Sequence, residues 1–237
     1  MSLLLTIAAR GGSKGVKNKN IREIGGVPLI AITIRQALTW GEADKVIVTT
    51  DSPEIAEVAK NAGAEVPFLR PKELATDEIG KLPALRHALL EAEKYYGKIF
   101  DTILDLDPTA PIRKVQDLEN SLKLFRSKKC KSLFSVAPAH KSPYFNMVEL
   151  DEKGFAKLSK DAGLVVRRQD VPKVYSMNAS IYVYGRDYLA DPLVKSAISN
   201  ESLIYEMDEL SGVDIDREID FKFVEYLVTS GTWKIHE

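Results

Sequence analysis

Residues 4–20 read LLTIAARGGSKGVKNKN, and the fold turns on how that stretch is parsed. The apolar run from Leu3 to Ala9 has the length and composition of a buried strand. It empties into a loop holding Arg10, Gly11, Gly12, Ser13, Lys14, Gly15, Lys17 and Lys19. Such a loop suits phosphate, because glycines let backbone N–H groups converge on an anion while Arg10, Lys14 and Lys19 supply positive charge. Neither the Walker A pattern G-x-x-x-x-G-K-[ST] nor the dinucleotide fingerprint G-x-G-x-x-G can be laid on it. A merely solvated glycine–lysine turn is the competing reading of the loop by itself; the buried strand in front of it favours phosphate.

Outward from the loop, strand and helix signals alternate. Leu29–Leu38 carries helical spacing, Lys45–Thr50 is rich in β-branched residues, and Asp51-Ser52-Pro53 opens a helix that runs to Asn61. A short strand is expected over Glu65–Leu69, a polar loop over Arg70–Asp77 and a helix over Leu82–Tyr95. The strand Thr102–Leu106 stops at a turn stiffened by Pro108 and Pro111, followed by a helix over Val115–Arg126 and a strand over Ser132–Val136. This succession predicts βαβ units and a mainly parallel sheet, hence an α/β fold. Ligands in such sheets gather at the carboxyl ends of the strands, where Arg10, Asp51 and Asp107 fall.

The rhythm breaks over residues 137–177, a stretch too long for a plain loop. Its aromatics, a turn at Asp151-Glu152-Lys153-Gly154 and the run Arg167–Pro172 predict an inserted β-rich arm for subunit contact. A strand over Asn178–Tyr184 restores the pattern. Near the end, Val213-Asp214-Ile215-Asp216 alternates apolar and acidic residues, so a strand there presents both carboxylates on one side. A closing helix is expected over Arg217–Thr229. Two carboxylates so close repel unless a cation intervenes, and a hard divalent ion such as Mg²⁺ would be completed by phosphate oxygens and water. A solvated strand face or helix start is the alternative reading of that pair taken alone.

Composition bounds the function. The 237 residues carry 33 basic and 34 acidic side chains, a net charge of −1, so no global basic field draws nucleic acid. The single cysteine, Cys130, excludes an intramolecular disulfide framework and suits a reducing compartment. No signal-peptide pattern is evident, and no apolar stretch reaches the roughly 18 residues that span a bilayer. A single cytoplasmic domain over 1–237 is the expectation.

Several pieces in order resemble the acylneuraminate cytidylyltransferase family, the CMP-sialic acid synthetases. They are Ala9–Gly15, Lys19-Asn20, Thr49-Thr50-Asp51, Arg70-Pro71-x-x-Leu74-Ala75-x-Asp77, Asp107–Arg113, Asn178-Ala179-x-Ile181-Tyr182 and Val213–Asp216. The resemblance implies a Rossmann-like three-layer α/β sandwich, nucleotide-diphospho-sugar transferase-like, with a dimerising arm and hence a homodimer. It also implies transfer of CMP from CTP to an acidic nine-carbon sugar, with Mg²⁺ as cofactor and no membrane or nucleic-acid partner. Ala8, Arg10, Gly11, Gly12, Ser13, Lys14, Lys19, Asn20 and Arg70 are thereby implied in nucleotide binding, Arg70 at the cytosine. Asp214 and Asp216 are implied as the metal pair, and Arg10, Lys14, Lys19 and Asp214 as catalytic. Asp107, Arg168, Gln169, Ser176 and Asn178 are implied around the sugar, Arg168 at its carboxylate.

Departures from the family pattern concentrate at the sugar. Asp107 stands where an amide is usual, Ser176 replaces an arginine, Ala179-Ser180 replaces Gly-Ala, and Lys81 falls where a hydroxyl residue is common. An ionised carboxylate accepts hydrogen bonds and cannot donate them, so the acyl-sugar pocket is altered while the phosphate loop is intact. A legionaminic- or pseudaminic-type acid is the expected substrate. A nucleotide-sugar-dependent glycosyltransferase and a nucleotide-binding homologue without turnover are the alternatives.

Overall fold

The computed structural model describes residues 2–161, 163 and 167–235. In chain order its elements are β1 (Leu3–Ala8), β2 (Glu23–Ile24), β3 (Val27–Pro28), α1 (Leu29–Trp40), β4 (Lys45–Thr49), α2 (Pro53–Asn61), α3 (Lys81–Tyr96) and β5 (Thr102–Leu106). There follow α4 (Val115–Ser127), β6 (Ser132–Pro138), β7 (Val148–Leu150), β8 (Ala156–Leu158), β9 (Tyr175–Gly185), α5 (Arg186–Ala190), β10 (Ser202–Glu206) and α6 (Glu218–Thr229).

One six-stranded sheet organises them in the order β10-β6-β9-β5-β1-β4. β1 lies between β4 and β5 and runs parallel to both, which is why its apolar run is continuous rather than alternating. β9 is the exception to the parallel arrangement, inserted antiparallel between β5 and β6. Alternate strand residues serve two layers. Leu3, Leu5, Ile7 and Leu104 pack under α1, α2 and α4, whereas Leu4, Ile103 and Tyr184 pack under α3 and α5. This is the expected three-layer α/β sandwich.

A third core, separate from the sheet's two faces, matters more for the site. Val16 from the glycine loop, Ile24 from β2, Ile215 from the C-terminal segment and Phe221 and Val224 from α6 bury one another. Packing of these side chains brings the two ends of the chain together. Because Ile215 is fully buried, its truncation to Ala would cost about 2–5 kcal/mol.

Several local expectations need revision. Glu65–Leu69 forms no strand: a single bridge links Ile47 and Glu65, and Pro67 has no N–H to extend a ladder. Val213–Asp216 is extended but joins no sheet; the Ile215 N–H donates instead to the Thr109 carbonyl, at 2.8 Å. The arm is shorter than 137–177, since β6 reaches Pro138 and β9 already begins at Tyr175, pairing across from it. The two strands of the arm, β7 and β8, form an antiparallel hairpin whose turn is held by Asp151 Oδ1 accepting from the Lys153 and Phe155 N–H groups. Positions 162 and 164–166 of the expected arm lie outside the described residues. β10 and α5 had no clear signature in the sequence.

Candidate active site

A cleft of about 400 Å³ opens at the carboxyl ends of β1 and β5. Its first wall is the glycine loop. The Gly11 N–H donates to Asp51 Oδ1 at 3.0 Å, tying the loop to the end of β4, and the Asn20 side-chain amide donates to the Arg10 carbonyl at 3.0 Å. Asn20 is buried and holds the loop while it borders the cleft. Arg10, Ser13, Lys14 and Gly15 face the cavity. Gly11 and Gly12 belong to the same loop but do not line it.

The opposite wall is the C-terminal segment. Asp214 and Asp216 both reach the cleft, and Ile215 between them points into the third core. The backbone of Ile215 is clamped from two sides. Its N–H is bound by the Thr109 carbonyl, and its carbonyl accepts from Lys19 Nζ at 2.5 Å. The same ammonium stands 3.5 Å from Asp216 Oδ1 and is only 13% exposed. Lys19 therefore joins the two walls. Alternation of side chains survives without a strand because both backbone groups of Ile215 are held elsewhere.

Burial raises the Asp214 carboxyl above the usual range; the neighbouring Thr109 hydroxyl opposes this, and the Asp107 and Asp216 charges add to the rise. Its Oδ1 is buried without a hydrogen-bond partner among the described residues, the kind of orphan a cation satisfies. No group of three or more His, Cys, Asp or Glu forms a ready-made metal cage among those residues. The donor set thus suits a hard ion held by two carboxylates and completed by phosphate oxygens and water.

The rim of the cleft comes from the loop over Arg70–Asp77, in which the sequence implied a site role for Arg70 and none for Asp77. Asp77 lies against both loop cations, 2.7 Å from Arg10 through Oδ1 and paired with Lys14 through Oδ2. At the floor, Arg70 is 7% exposed and donates to the Thr49 hydroxyl and carbonyl. Burial lowers its pKa, partly offset by Asp51 and Asp105. Ala8 completes that floor. Arg113, which ends the Asp107–Arg113 piece but was given no role from sequence, is buried behind the proline turn and donates to the carbonyls of Asp107 and Ala110 and to Ser180 Oγ at 2.9 Å. Desolvation pushes its pKa down to about 10. The turn is thus set from behind by a guanidinium as well as by its prolines.

Asp107 lines the cleft, with Lys81 beside it at 2.8 Å. The other residues implied at the sugar are not brought there within one chain. Arg168 and Gln169 line a second cavity of about 360 Å³ with Ala139, whose carbonyl accepts from the Arg168 guanidinium at 2.8 Å. Ser176 is exposed on β9 opposite Ala137. Asn178 is 2% exposed and fully engaged: its amide donates to the Ser211 carbonyl at 3.1 Å, and its oxygen accepts from Ser135 Oγ at 2.6 Å. Its place is in the frame that supports β9.

A parallel-sheet α/β fold, with a cationic glycine loop facing a carboxylate pair at the strand ends, defines a nucleotide-handling enzyme. The cytidylyltransferase family model matches residues 4–226, and the chain belongs to that family. It is 44% identical over 227 residues to a CMP-N,N'-diacetyllegionaminic acid synthase of Campylobacter jejuni, covering 96% of this chain and 95% of that protein. It is 42% identical over 226 residues to the post-translational flagellin modification protein B of Campylobacter coli, covering 95% and 94%. A CMP:2-keto-3-deoxy-manno-octonic acid synthetase, solved in complex with CTP, superposes with a TM-score of 0.73 at 18% identity, covering 98% of this chain and 100% of that one. That last likeness carries the fold alone.

Proposed function

We propose that the protein activates a nine-carbon acidic sugar of the sialic-acid type, legionaminic or pseudaminic in character, by transferring CMP to it from CTP. The observation that carries the reading is the contact of the two cleft walls, with Lys19 bound to Ile215 and the Asp214–Asp216 pair lining the same cleft as Arg10 and Lys14. Membership of the cytidylyltransferase family and the names of the relatives support the substrate classes. The sugar's anomeric hydroxyl attacks the α-phosphate, its oxygen–phosphorus bond forming as the bond to pyrophosphate breaks, and its proton is lost to solvent. Arg10, Lys14 and the loop N–H groups hold the departing phosphates and offset the charge that accumulates on them. Asp214 and Asp216 would hold Mg²⁺, which when bound neutralises phosphate oxygens and lowers the pKa of the attacking hydroxyl. Ala8 and Arg70 would take the base.

We read the protein as a single cytidylyltransferase domain that works as a cytoplasmic homodimer. No helix among the described residues is long and apolar enough to cross a membrane. The hairpin of β7 and β8 exposes Val148, Leu150 and Phe155, apolar surface that a second copy would cover. Since Arg168 and Gln169 lie away from the cleft of their own chain, contact with the sugar carboxylate falls to an arm crossing from the partner. Sedimentation at micromolar concentration tests this, and a monomer there would overturn it.

The decisive assay is pyrophosphate release with each of four nucleoside triphosphates against several nine-carbon acid sugars. Release that requires CTP and one sugar class is expected. Nucleotide release from a CMP-sugar donor, or CTP binding without turnover on any sugar, would replace the reading.

A further inference from the structure

The Lys81 ammonium stands between two carboxylates at the end of β5, 2.5 Å from Asp105 Oδ2 and 2.8 Å from Asp107 Oδ2. Asp105 is fully buried at the centre of the sheet, where Oδ1 accepts from the Thr6 hydroxyl at 2.7 Å. Thr6, Asp105 and Tyr182 are register partners on adjacent strands, and Lys81 caps this row with Nζ 5.1 Å from the Tyr182 ring centre. Burial opposes the charge on Lys81, but Asp105 and Asp107 outweigh it and hold the side chain as an ammonium. Asp107 is equally constrained, since its Oδ1 accepts from the Thr109 N–H at 3.3 Å and from the Thr109 hydroxyl at 3.1 Å.

An ammonium has three donors and a carboxylate about four acceptor sites. Lys81 donates to Asp107 and is ion-paired with Asp105 through Oδ2; Asp107 commits two sites to Thr109 and one to Lys81. At least one N–H and one lone pair remain, on atoms 2.8 Å apart, and the two side chains border the cleft at 29% and 20% exposure. A donor and an acceptor side by side are what a primary amide offers from a single residue. The pair supplies from Lys81 the donor that Asp107 lacks.

We propose that Lys81 and Asp107 act as one specificity-determining unit for the acid sugar, receiving a hydroxyl or acylamino substituent that both donates and accepts a hydrogen bond. The proposal rests on the cytidylyltransferase reading and deepens it. Thr109, which binds Asp107, borders the same cleft as Asp214, so on the proposed reading the pair lies at the end where the sugar meets the α-phosphate. The sugar's carboxylate is the wrong partner here, because one ammonium between Asp105 and Asp107 leaves no net positive charge.

The test uses the full chain with CTP, Mg²⁺ and whichever of N-acetylneuraminic, N,N'-diacetyllegionaminic and pseudaminic acids the wild type converts best. Lys81→Met and Asp107→Leu should each raise the sugar KM about tenfold or more, with the calorimetric Kd for CTP held within about threefold. Because Lys81→Met also strips Asp105 of its counter-charge, the cycle is repeated with Asp105→Asn present, and thermal melting confirms folding. Asp107→Gln should restore the sugar KM of Lys81→Met to within about fivefold of wild type, since one amide then provides both functions. Independent, additive effects would overturn the proposal. So would a tenfold loss of CTP affinity with an unchanged sugar KM, which would put the pair at the base. A wild type that neither binds CTP nor releases pyrophosphate would overturn the underlying reading as well, and would be seen before any variant is made.

Discussion

A methyl group built on Gly15 lies 2.0 Å from the backbone carbonyl oxygen of Asp216. The glycine loop and the C-terminal carboxylate segment therefore touch through backbone, at a place where no other residue fits. Lys19 and Ile215 make the polar contact beside it. Gly15→Ala must push the two walls of the cleft apart. Turnover should fall about tenfold or more, because misplacing a reacting group by an ångström costs that much or more. Gly12→Ala, whose methyl meets nothing within 4 Å, should cost much less. Steady-state rates of the two variants, with melting temperatures as the folding control, decide the matter.

Asp77 occupies the loop cations to which the proposed function assigns the triphosphate. The Lys14 ammonium, with Arg10, holds its carboxyl below the usual range despite exposure. Phosphate oxygens must compete with it, so Asp77→Asn should lower the KM for CTP. The contacts are exposed and exposed pairs are weak, so the expected change is modest, about threefold. A higher KM would mean that Asp77 orders the cations for phosphate.

Asp214 carries the only buried carboxylate oxygen at the carboxylate pair without a partner among the described residues. Asp214→Asn keeps the shape and removes the charge, and should reduce Mg²⁺-dependent pyrophosphate release by about a hundredfold or more. Chelator should abolish turnover of the wild type. An unchanged metal requirement in Asp214→Asn would move the ion elsewhere.

Ala179 has φ of 51°, in the left-handed region, within the shift in register between β6 and β9. A side chain there costs about 1–2 kcal/mol. Ala179→Gly relieves this, offset by the roughly 0.4–1 kcal/mol of extra freedom that glycine brings to the unfolded chain. A net gain of about 0.5 kcal/mol is expected, worth about 1–2 °C in melting temperature. A lower melting temperature by calorimetry would contradict it.

The legible parts of the fold were those with local causes. The apolar run of β1 and Pro53 after the capping Ser52 of α2 each act within one turn of chain, and each lies where the pattern put it. Illegible parts depended on partners. Val213–Asp216 has strand-like alternation, yet the group that receives the Ile215 N–H is a turn carbonyl rather than a strand. β9 shows an ordinary strand pattern over Ile181–Tyr184, and nothing in its own residues states that it enters the sheet antiparallel.

The same division runs through the site. By itself the sequence determined that a basic glycine loop follows a buried strand and that two carboxylates flank Ile215, because residue type and spacing suffice for both. Only the tertiary structure decided that Lys19 meets Ile215 across 196 positions, that Lys81 pairs with Asp107 across 26, and that Asn178 is enclosed in the frame. The physical reason is common to all three. Such distances follow from which side chains share a core, here Val16 with Ile215 and Phe221, and burial of that kind is settled by the whole chain at once.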